Sequence, residues 1–459
     1  MKPVIRSLVL LILTVSWLPA QSTALRSGPM VGYGTMTEVM LWVQTNKPAS
    51  IQYRYWNSAE PKSVLTSTAV STDREEPFIA KSVITGLTPG VKYSYELLID
   101  GKPVKRDYPL RFQTQPLWQW RTDPPAFSVA FGSCNFVNEA EIDRPGKPYG
   151  SDFEIFRTIA AKQPDLFLWG GDNTYLREVD WDSRSGIIRR HSHTRALPEM
   201  QPLLGSVHNL AIWDDHDYGP NDADRTYALR KESLEIFTRF WANRTYGAAG
   251  TEGTFSRFVW NDVEFFLLDD RYHRSPNDAP ADGQKTMFGK EQMQWLKDAL
   301  TNSAGNRDIN FRIIVNGNQI LNTNGAFAEM LTQFPSDYDE LLGHIRSRKI
   351  PGILFLTGDR HLTELIALKD SSFYTLYDFT SSALTSGLTT LKDRNGNWTA
   401  EYTNPLRVEG TLVNDKHNFG MLTVSGPRRE RVLTMECYDV TGTLRWSRTV
   451  PAASLQVPR

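Results

Sequence analysis

Six apolar runs of strand length, each closing on a polar cluster, constrain this chain more than any other feature: FSVAFGSC, DLFLWGGD, HNLAIWDD, VEFFLLDD, FRIIVNGN and GILFLTGD. Most are separated by helical stretches such as DFEIFRTIAAKQ and GKEQMQWLKDALTNS. Strands alternating with helices predict a mixed or parallel sheet covered by helices. In such sheets the site lies outside the carboxyl ends of the strands. The clusters at those ends are Ser133 and Cys134, Asp172, Asp214 to His216, Asp269 to Arg271, Asn318 and Gln319, and Asp359 to His361. Six of them in order imply one shared site.

Ahead of these runs, Gly28 to Gln115 alternates with a period near two in VMLWVQT, IQYRYW, AKSVITGL, KYSYELLID and LRFQTQ, which predicts an all-β module. GLTPGVKYSYEL resembles the corner of fibronectin type III and related sandwiches, where a tyrosine, here Tyr93, ties its hydroxyl back to the backbone. The Trp- and Pro-rich QPLWQWRTDPPA reads as a linker. At 459 residues the chain exceeds one ordinary core. The expected division is a signal peptide over 1–24, an N-terminal β-sandwich over 25–118, a linker over 119–126 and an α/β domain over 127–459.

In the first residues, Lys2 and Arg6 precede an apolar run from Leu8 to Leu18, with Ser22 and Ala24 as small residues for cleavage. This pattern predicts a removable signal and export to a periplasm or the medium, with no stable membrane anchor afterwards. The 51 Lys and Arg against 52 Asp and Glu provide no basic field to draw in nucleic acid. A small-molecule partner is expected, and a monomer. The two cysteines, Cys134 and Cys437, leave open a disulfide, a metal thiolate at Cys134 or plain burial.

The strand-end clusters gather Asp172, Asp214, Asp215, Asp217, Asp359, His216 and His361. An isolated acid after a strand is often a helix cap or a turn residue. So many close carboxylates, however, repel one another and raise each other's pKa unless cations intervene. Their donor types suit divalent or trivalent metals, and two ions about 3.5–4 Å apart can clamp a displacement at phosphorus. WDDHDYGPND is the most specific cluster, with three acids and a histidine directly behind a strand. Arg271, with Arg274, is a candidate bidentate phosphate clamp. RRHSHTR (Arg189 to Arg195) is a candidate basic lid, and NGNWTAEYTNP a loop with no evident chemistry.

FGSCN, GGDNTY, WDDHD, LLDDRYHR, FGKEQMQWLKDAL, NQ and TGDRH, in that order after a β-rich module, resemble the alkaline phosphatase D (PhoD-like) family of the calcineurin-like metallophosphoesterases. The resemblance implies a two-domain architecture: an all-β sandwich followed by two packed mixed sheets flanked by helices. It implies metal ligation by Cys134, Asp172, Tyr175, Asp215, Asn318, Asp359 and His361, with Asp172 bridging two ions. His216 would face the phosphate, with Arg271 and Asn173 as further candidates for contact with it, and YDFTSSALTSG, similar to a family stretch after the last metal motif, would line the pocket floor. Tyr175 has the spacing found in purple acid phosphatases, and a phenol of pKa about 10 ionises near neutrality only beside a strong Lewis acid. Fe(III) with Ca(II) or another divalent ion is therefore the expected pair. The implied chemistry is in-line attack by a metal-bound hydroxide on phosphomonoesters or phosphodiesters. The alternatives are a phospholipase D-like phosphodiesterase and a non-catalytic binding protein on the same scaffold. Only Arg6 precedes the apolar run, where the family often carries twin-arginine signals, so export unfolded with metal loading afterwards is expected.

Overall fold

The computed structural model describes residues 24–248, 250–324 and 329–457. The expected signal peptide, except for Ala24, lies outside them. Among the described residues no helix is long and apolar enough to cross a membrane.

Two sheets face each other across the main core. The first has nine strands in the order Leu444–Pro451, Val432–Asp439, Asn418–Ser425, Phe127–Gly132, Leu166–Gly170, His208–Ile212, Leu25–Gly34, Val39–Thr45 and Ile79–Ile84. The second has six, in the order Ser256–Trp260, Val263–Leu267, Phe311–Asn316, Ile353–Thr357, Leu376–Ser381 and Thr363–Leu368. Each sheet is mixed. Phe127–Gly132, Leu166–Gly170 and His208–Ile212 run parallel to one another, as do Val263–Leu267, Phe311–Asn316, Ile353–Thr357 and Leu376–Ser381.

The near-continuous hydrophobicity of the six runs follows from burial on both faces. Phe127, Val129 and Phe131, with Leu166, Leu168, Leu210 and Ile212, point at the second sheet. Phe131 meets Phe379 edge to face at 4.9 Å between ring centroids. The alternate residues Ala130, Phe167, Trp169, Ala211 and Trp213 turn outward into a second core with Ile155, Phe156 and Ile159 of helix Glu154–Lys162 and Phe237 and Phe240 of helix Arg230–Phe240. The six runs, covered on both sides, carry their polar clusters at the carboxyl ends.

The N-terminal module departs from a self-contained sandwich. Its strands Ala49–Asn57 and Lys92–Ile99 form a separate sheet with short partners. That sheet packs on Leu25–Gly34, Val39–Thr45 and Ile79–Ile84 through Val31, Leu41, Ile51, Tyr53, Tyr95 and Leu97. The latter three strands, however, belong to the nine-stranded sheet, joined by parallel pairing of Val31 with His208. The periodicity marks Val39–Thr45 and Ile79–Ile84 but not Leu25–Gly34, and it carries no information about a neighbour 177 residues away. The Tyr93 hydroxyl accepts from the backbone N–H of Thr88 at 2.9 Å, as the Leu-Thr-Pro-Gly turn predicts.

Candidate metal centre

The parallel strands of both sheets deliver their carboxyl ends to one rim, and the backbone turns there are unusual. Cys134, Asp172, Asp359 and His361 all have left-handed φ, at 63°, 52°, 67° and 53°. For non-glycine residues such conformations cost on the order of 1–3 kcal/mol each and persist where the surroundings over-determine them. The surroundings here are backbone ties between strand ends. Asn135 N donates to Asp172 O at 2.8 Å, Gly358 N to Gly317 O at 2.8 Å, and Thr385 N and Ser386 N to Cys134 O at 3.2 and 3.1 Å. The last two place YDFTSSALTSG against the Cys134 turn. Close approach also demands glycine at two points. A Cβ on Gly171 (φ 96°) would lie 2.8 Å from Asp214 Cβ, and one on Gly317 would lie 2.5 Å from Asp270 Oδ2 and 2.7 Å from Asp214 Cγ.

Three groupings of donor atoms result, each with its atoms within 4.8 Å of one another: Cys134, Asp172 and His361; Asp172, Asp215 and His216; and Asp215, Asp222 and Glu329. Asp172 belongs to two of them and Asp215 to two. Tyr175 sits over this junction, its ring stacked on His216 at 4.1 Å and its hydroxyl 3.1 Å from His361 Nε2. Tyr149, 212 residues earlier than His361, holds the other ring nitrogen, with its hydroxyl 3.0 Å from Nδ1. Asp359 stands outside the three groupings and lines an adjoining cavity.

The electrostatics fit a site built for cations. Burial, then Asp215, Asp217 and Asp359, push Asp172 well above the usual carboxylate range. Burial lifts Asp359 to about 7 against the pull of Arg360. Burial and Asp172 raise the Cys134 thiol well above its ordinary value, and burial, Asp172 and Cys134 do the same to the Tyr175 phenol. Burial pushes His361 down to about 4 and also lowers His216, whose Nδ1 is buried without a partner among the described residues. Burial thus raises Asp172, Asp359, Cys134 and Tyr175 and lowers the imidazoles, while His216 and Arg271 hold Asp215 low against burial; cations are what bring out carboxylate, thiolate and phenolate together. Thiolate, phenolate, carboxylate and imidazole in one grouping suit a trivalent or borderline metal; three carboxylates in another suit a hard cation. Both cysteines are free and buried, Cys437 within the main core.

Residues 130–430 match the PhoD-like phosphatase family. The chain belongs to that family. Residues 22–117 match a domain of unknown function, DUF7800. This PhoD-like chain is 22% identical over 357 residues to alkaline phosphatase D of Bacillus subtilis (strain 168), a match covering 65% of this chain and 59% of that protein. It superimposes on a structure titled "Structure of PhoD" with a TM-score of 0.74 at 16% identity, covering 94% of this chain and 92% of the other. A purple acid phosphatase from seeds of yellow lupin (Lupinus luteus) gives 0.65 at 13% identity, over 92% and 74%. At these identities the likenesses show the fold, an α/β domain of mixed sheets.

Not every predicted site residue of this PhoD-like chain reaches the centre. Asn173 turns inward: its side-chain amide donates to Ile212 O at 2.7 Å and Asp217 Oδ2 at 3.2 Å, so it holds the turn rather than the phosphate. Asp217 is spent on the same turn and on the capping box of the short helix Asp215–Tyr218. Asn318 lies fully buried with its Oδ1 accepting from Arg274 at 2.9 Å and its Nδ2 donating to Asp214 at 3.1 Å. Arg271, expected as a phosphate clamp, is fully buried and forks onto Asp214 and Glu329; Arg274 joins Glu329 at 2.9 Å. Both guanidiniums neutralise carboxylates. The expected basic lid is likewise packed away in helix Arg184–Arg195. There Arg189 and Arg190 pair with Glu139 and Asp180, and Arg195 stacks on Trp241 at 3.7 Å. Sequence patterns show positive charge but not the nonlocal acids that consume it.

Asp222, Glu329 and Tyr149 are the members that motif spacing missed. Asp222 is the last residue of WDDHDYGPND, where its acid type was a usable signal. Glu329 and Tyr149 lie in stretches with no local pattern and join the site only through the tertiary fold.

Proposed function

We propose that this protein is a metal-dependent phosphoesterase that hydrolyses phosphomonoesters or phosphodiesters of small molecules. The observation that carries this function is Asp172, one carboxylate common to a Cys134/His361 grouping and an Asp215/His216 grouping. Bound cations would supply Lewis acidity toward the phosphoryl oxygens and lower the pKa of a coordinated water. Cys134, Asp172, Tyr175 and His361 would hold Fe(III), whose charge is what a phenol raised by burial needs in order to ionise. Asp215, Asp222 and Glu329 offer the all-oxygen set that Ca(II) prefers.

The chain's own residues do the rest. Tyr149 fixes the His361 ring through Nδ1, which leaves Nε2, 3.1 Å from the Tyr175 oxygen, as the nitrogen a metal would share with that phenolate. His216, pinned by stacking on Tyr175 and held neutral by burial, would donate a hydrogen bond to a phosphoryl oxygen and stabilise the charge that develops there. Arg271 and Arg274 hold Glu329 ionised and oppose the burial that raises Asp214 and Asp270. The preferred setting is outside the cytoplasm, on the strength of the leader sequence.

The test is metal reconstitution with elemental analysis, a visible spectrum, and turnover of p-nitrophenyl phosphate and its bis ester by wild type, Asp172→Asn and Tyr175→Phe. Iron, a phenolate charge-transfer band lost in Tyr175→Phe, and hydrolysis lost in Asp172→Asn are expected. A colourless, iron-free, fully active enzyme would overturn the iron assignment. Absence of hydrolysis by the reconstituted wild type would overturn the function.

A further inference from the structure

The metal centre opens into a cavity of about 870 Å³ whose walls combine Asp222, Glu329 and Asp359 with three cations, Arg360, Lys392 and Arg394. That volume lies high in the range of about 300–1,000 Å³ typical of small-molecule sites, and it leaves room for much more than one phosphate. Lys392 and Arg394 come from the loop that includes NGNWTAEYTNP, for which the sequence offers no chemistry.

The loop is built and held. Asp393 Oδ1 accepts from Asn395 N at 2.8 Å and Asn397 N at 2.9 Å, closing a turn. Thr399 N donates to Leu391 O at 2.9 Å across its base. Asn324 Nδ2 donates to Ala400 O at 2.8 Å and Asn404 Nδ2 to Asn322 Oδ1 at 2.9 Å, tying the loop to the strand-end region that carries Asn318. Arg360, between Asp359 and His361, pairs with Glu401 and fastens it to the metal centre itself.

This construction uses up the loop's acids and leaves its cations over. Asp393 is committed to backbone N–H groups and Glu401 to Arg360. Among the described residues Arg394 has no ion-pair partner, and the Lys392 ammonium rests 4.5 Å from the Trp398 ring centroid without a carboxylate. Arg360 is 6% exposed and its Nη1 is buried with no hydrogen-bond partner. A buried guanidinium N–H left unpaired is costly unless a ligand completes it. Three cations with spare donors beside a centre that binds phosphate call for a second anion.

We propose that this cavity is a subsite for the ester substituent, and that it selects phosphoesters whose substituent carries a phosphate of its own. The scissile phosphate lies at the metal centre, and the second phosphate is held by Arg360, Lys392 and Arg394. The subsite rests on the phosphoesterase function proposed above and adds its substrate class.

The experiment compares kcat/KM for butanediol bisphosphate and butyl phosphate in the metal-loaded wild type and in Lys392→Ala/Arg394→Ala, with p-nitrophenyl phosphate as reference. Both substituted residues are exposed and lie outside the metal-binding groupings. Wild type is expected to favour the bisphosphate by about ten-fold, chiefly in KM, because charge-assisted phosphate contacts are the strong ones. The double variant should lose that preference while its turnover of p-nitrophenyl phosphate stays within about two-fold. Equal efficiency on the two butyl esters in wild type, or an unchanged preference in the variant, would overturn the subsite. Calorimetry with butane bisphosphonate and butylphosphonate separates this from failure of the catalytic function. Tighter bisphosphonate binding that the variant loses supports the subsite even in a protein that hydrolyses nothing. Equal binding of the two phosphonates overturns it.

Discussion

Replacing Arg271 by methionine should unfold the metal-free protein more easily the higher the pH. The guanidinium is fully buried, donates through Nε to Asp214 Oδ1 at 2.6 Å, pairs through Nη2 with Glu329, and has Ala223 O 3.3 Å from Nη1. Methionine keeps much of the aliphatic volume, so the loss is chiefly electrostatic: two buried carboxylates without their cation, at a cost of about 3–5 kcal/mol. In wild type, burial works to raise Glu329, but Arg271 and Arg274 outweigh it and hold the group below its ordinary range. Glu329 therefore stabilises the fold above its unfolded pKa, and that contribution is lost as pH falls through the folded value. Asp214 is already driven well above its ordinary range by burial, with Arg271 the strongest opposing influence. Without Arg271 both folded-state values move upward while the unfolded ones stay near about 4. A carboxyl with a raised folded pKa makes stability fall as pH rises from the unfolded to the folded value. The deficit of Arg271→Met should thus set in as pH rises through the lowered Glu329 value and be larger at about pH 8 than at about pH 5. Urea unfolding of chelator-treated protein, followed by the fluorescence of its 13 tryptophans, measures it at both pH values. Asp214→Asn in the same background should restore roughly 1–3 kcal/mol at the higher pH, the size of coupling expected for neighbours. A deficit independent of pH, or an unchanged stability with a raised KM for phosphate esters, would refute the charge-neutralising role and return Arg271 to the substrate.

Three further outcomes follow from particular contacts. Asn173→Ala should cost about 1–3 kcal/mol in urea unfolding through its lost bonds to Ile212 and Asp217, with KM for p-nitrophenyl phosphate unchanged; a KM effect without a stability effect would put Asn173 on the substrate after all. Gly317→Ala, whose Cβ would meet Asp270 and Asp214, should destabilise by about 1–3 kcal/mol and lower metal content by elemental analysis, and a fully loaded, equally stable variant would show that these strand ends can move apart. Tyr93→Phe should lose about 1 kcal/mol through the bond to Thr88 without altering kcat, as unfolding curves and a steady-state assay would report.

Much of the centre was legible because its ligands terminate buried strands. A run such as DLFLWGGD shows where a covered strand must stop, and the residue after the stop has few places to go except the shared rim. Cys134, Asp172, Asp215, His216 and His361 could be picked out in this way, by local pattern and by family motif, and the structure brings them together. Asn173 and Arg271 sit in the same motifs yet turn to the protein, because a motif specifies position along a strand end and not the side-chain partner waiting there.

What the sequence alone determined was therefore the six buried runs with polar ends, the order of those ends, the donor types and the Tyr93 turn, all properties of residues close together in the chain. Tertiary structure decided whatever depends on who meets whom. It made Leu25–Gly34 a strand of the large sheet through His208, brought Glu329 onto Arg271 from 58 residues away and Tyr149 onto His361 from 212, and left Lys392 and Arg394 as unneutralised charge beside the metal centre. Periodicity is written into neighbouring residues by the geometry of one strand or helix. The neutralisation of a charge is settled only when distant segments are packed, since it depends on which opposite charge reaches it first.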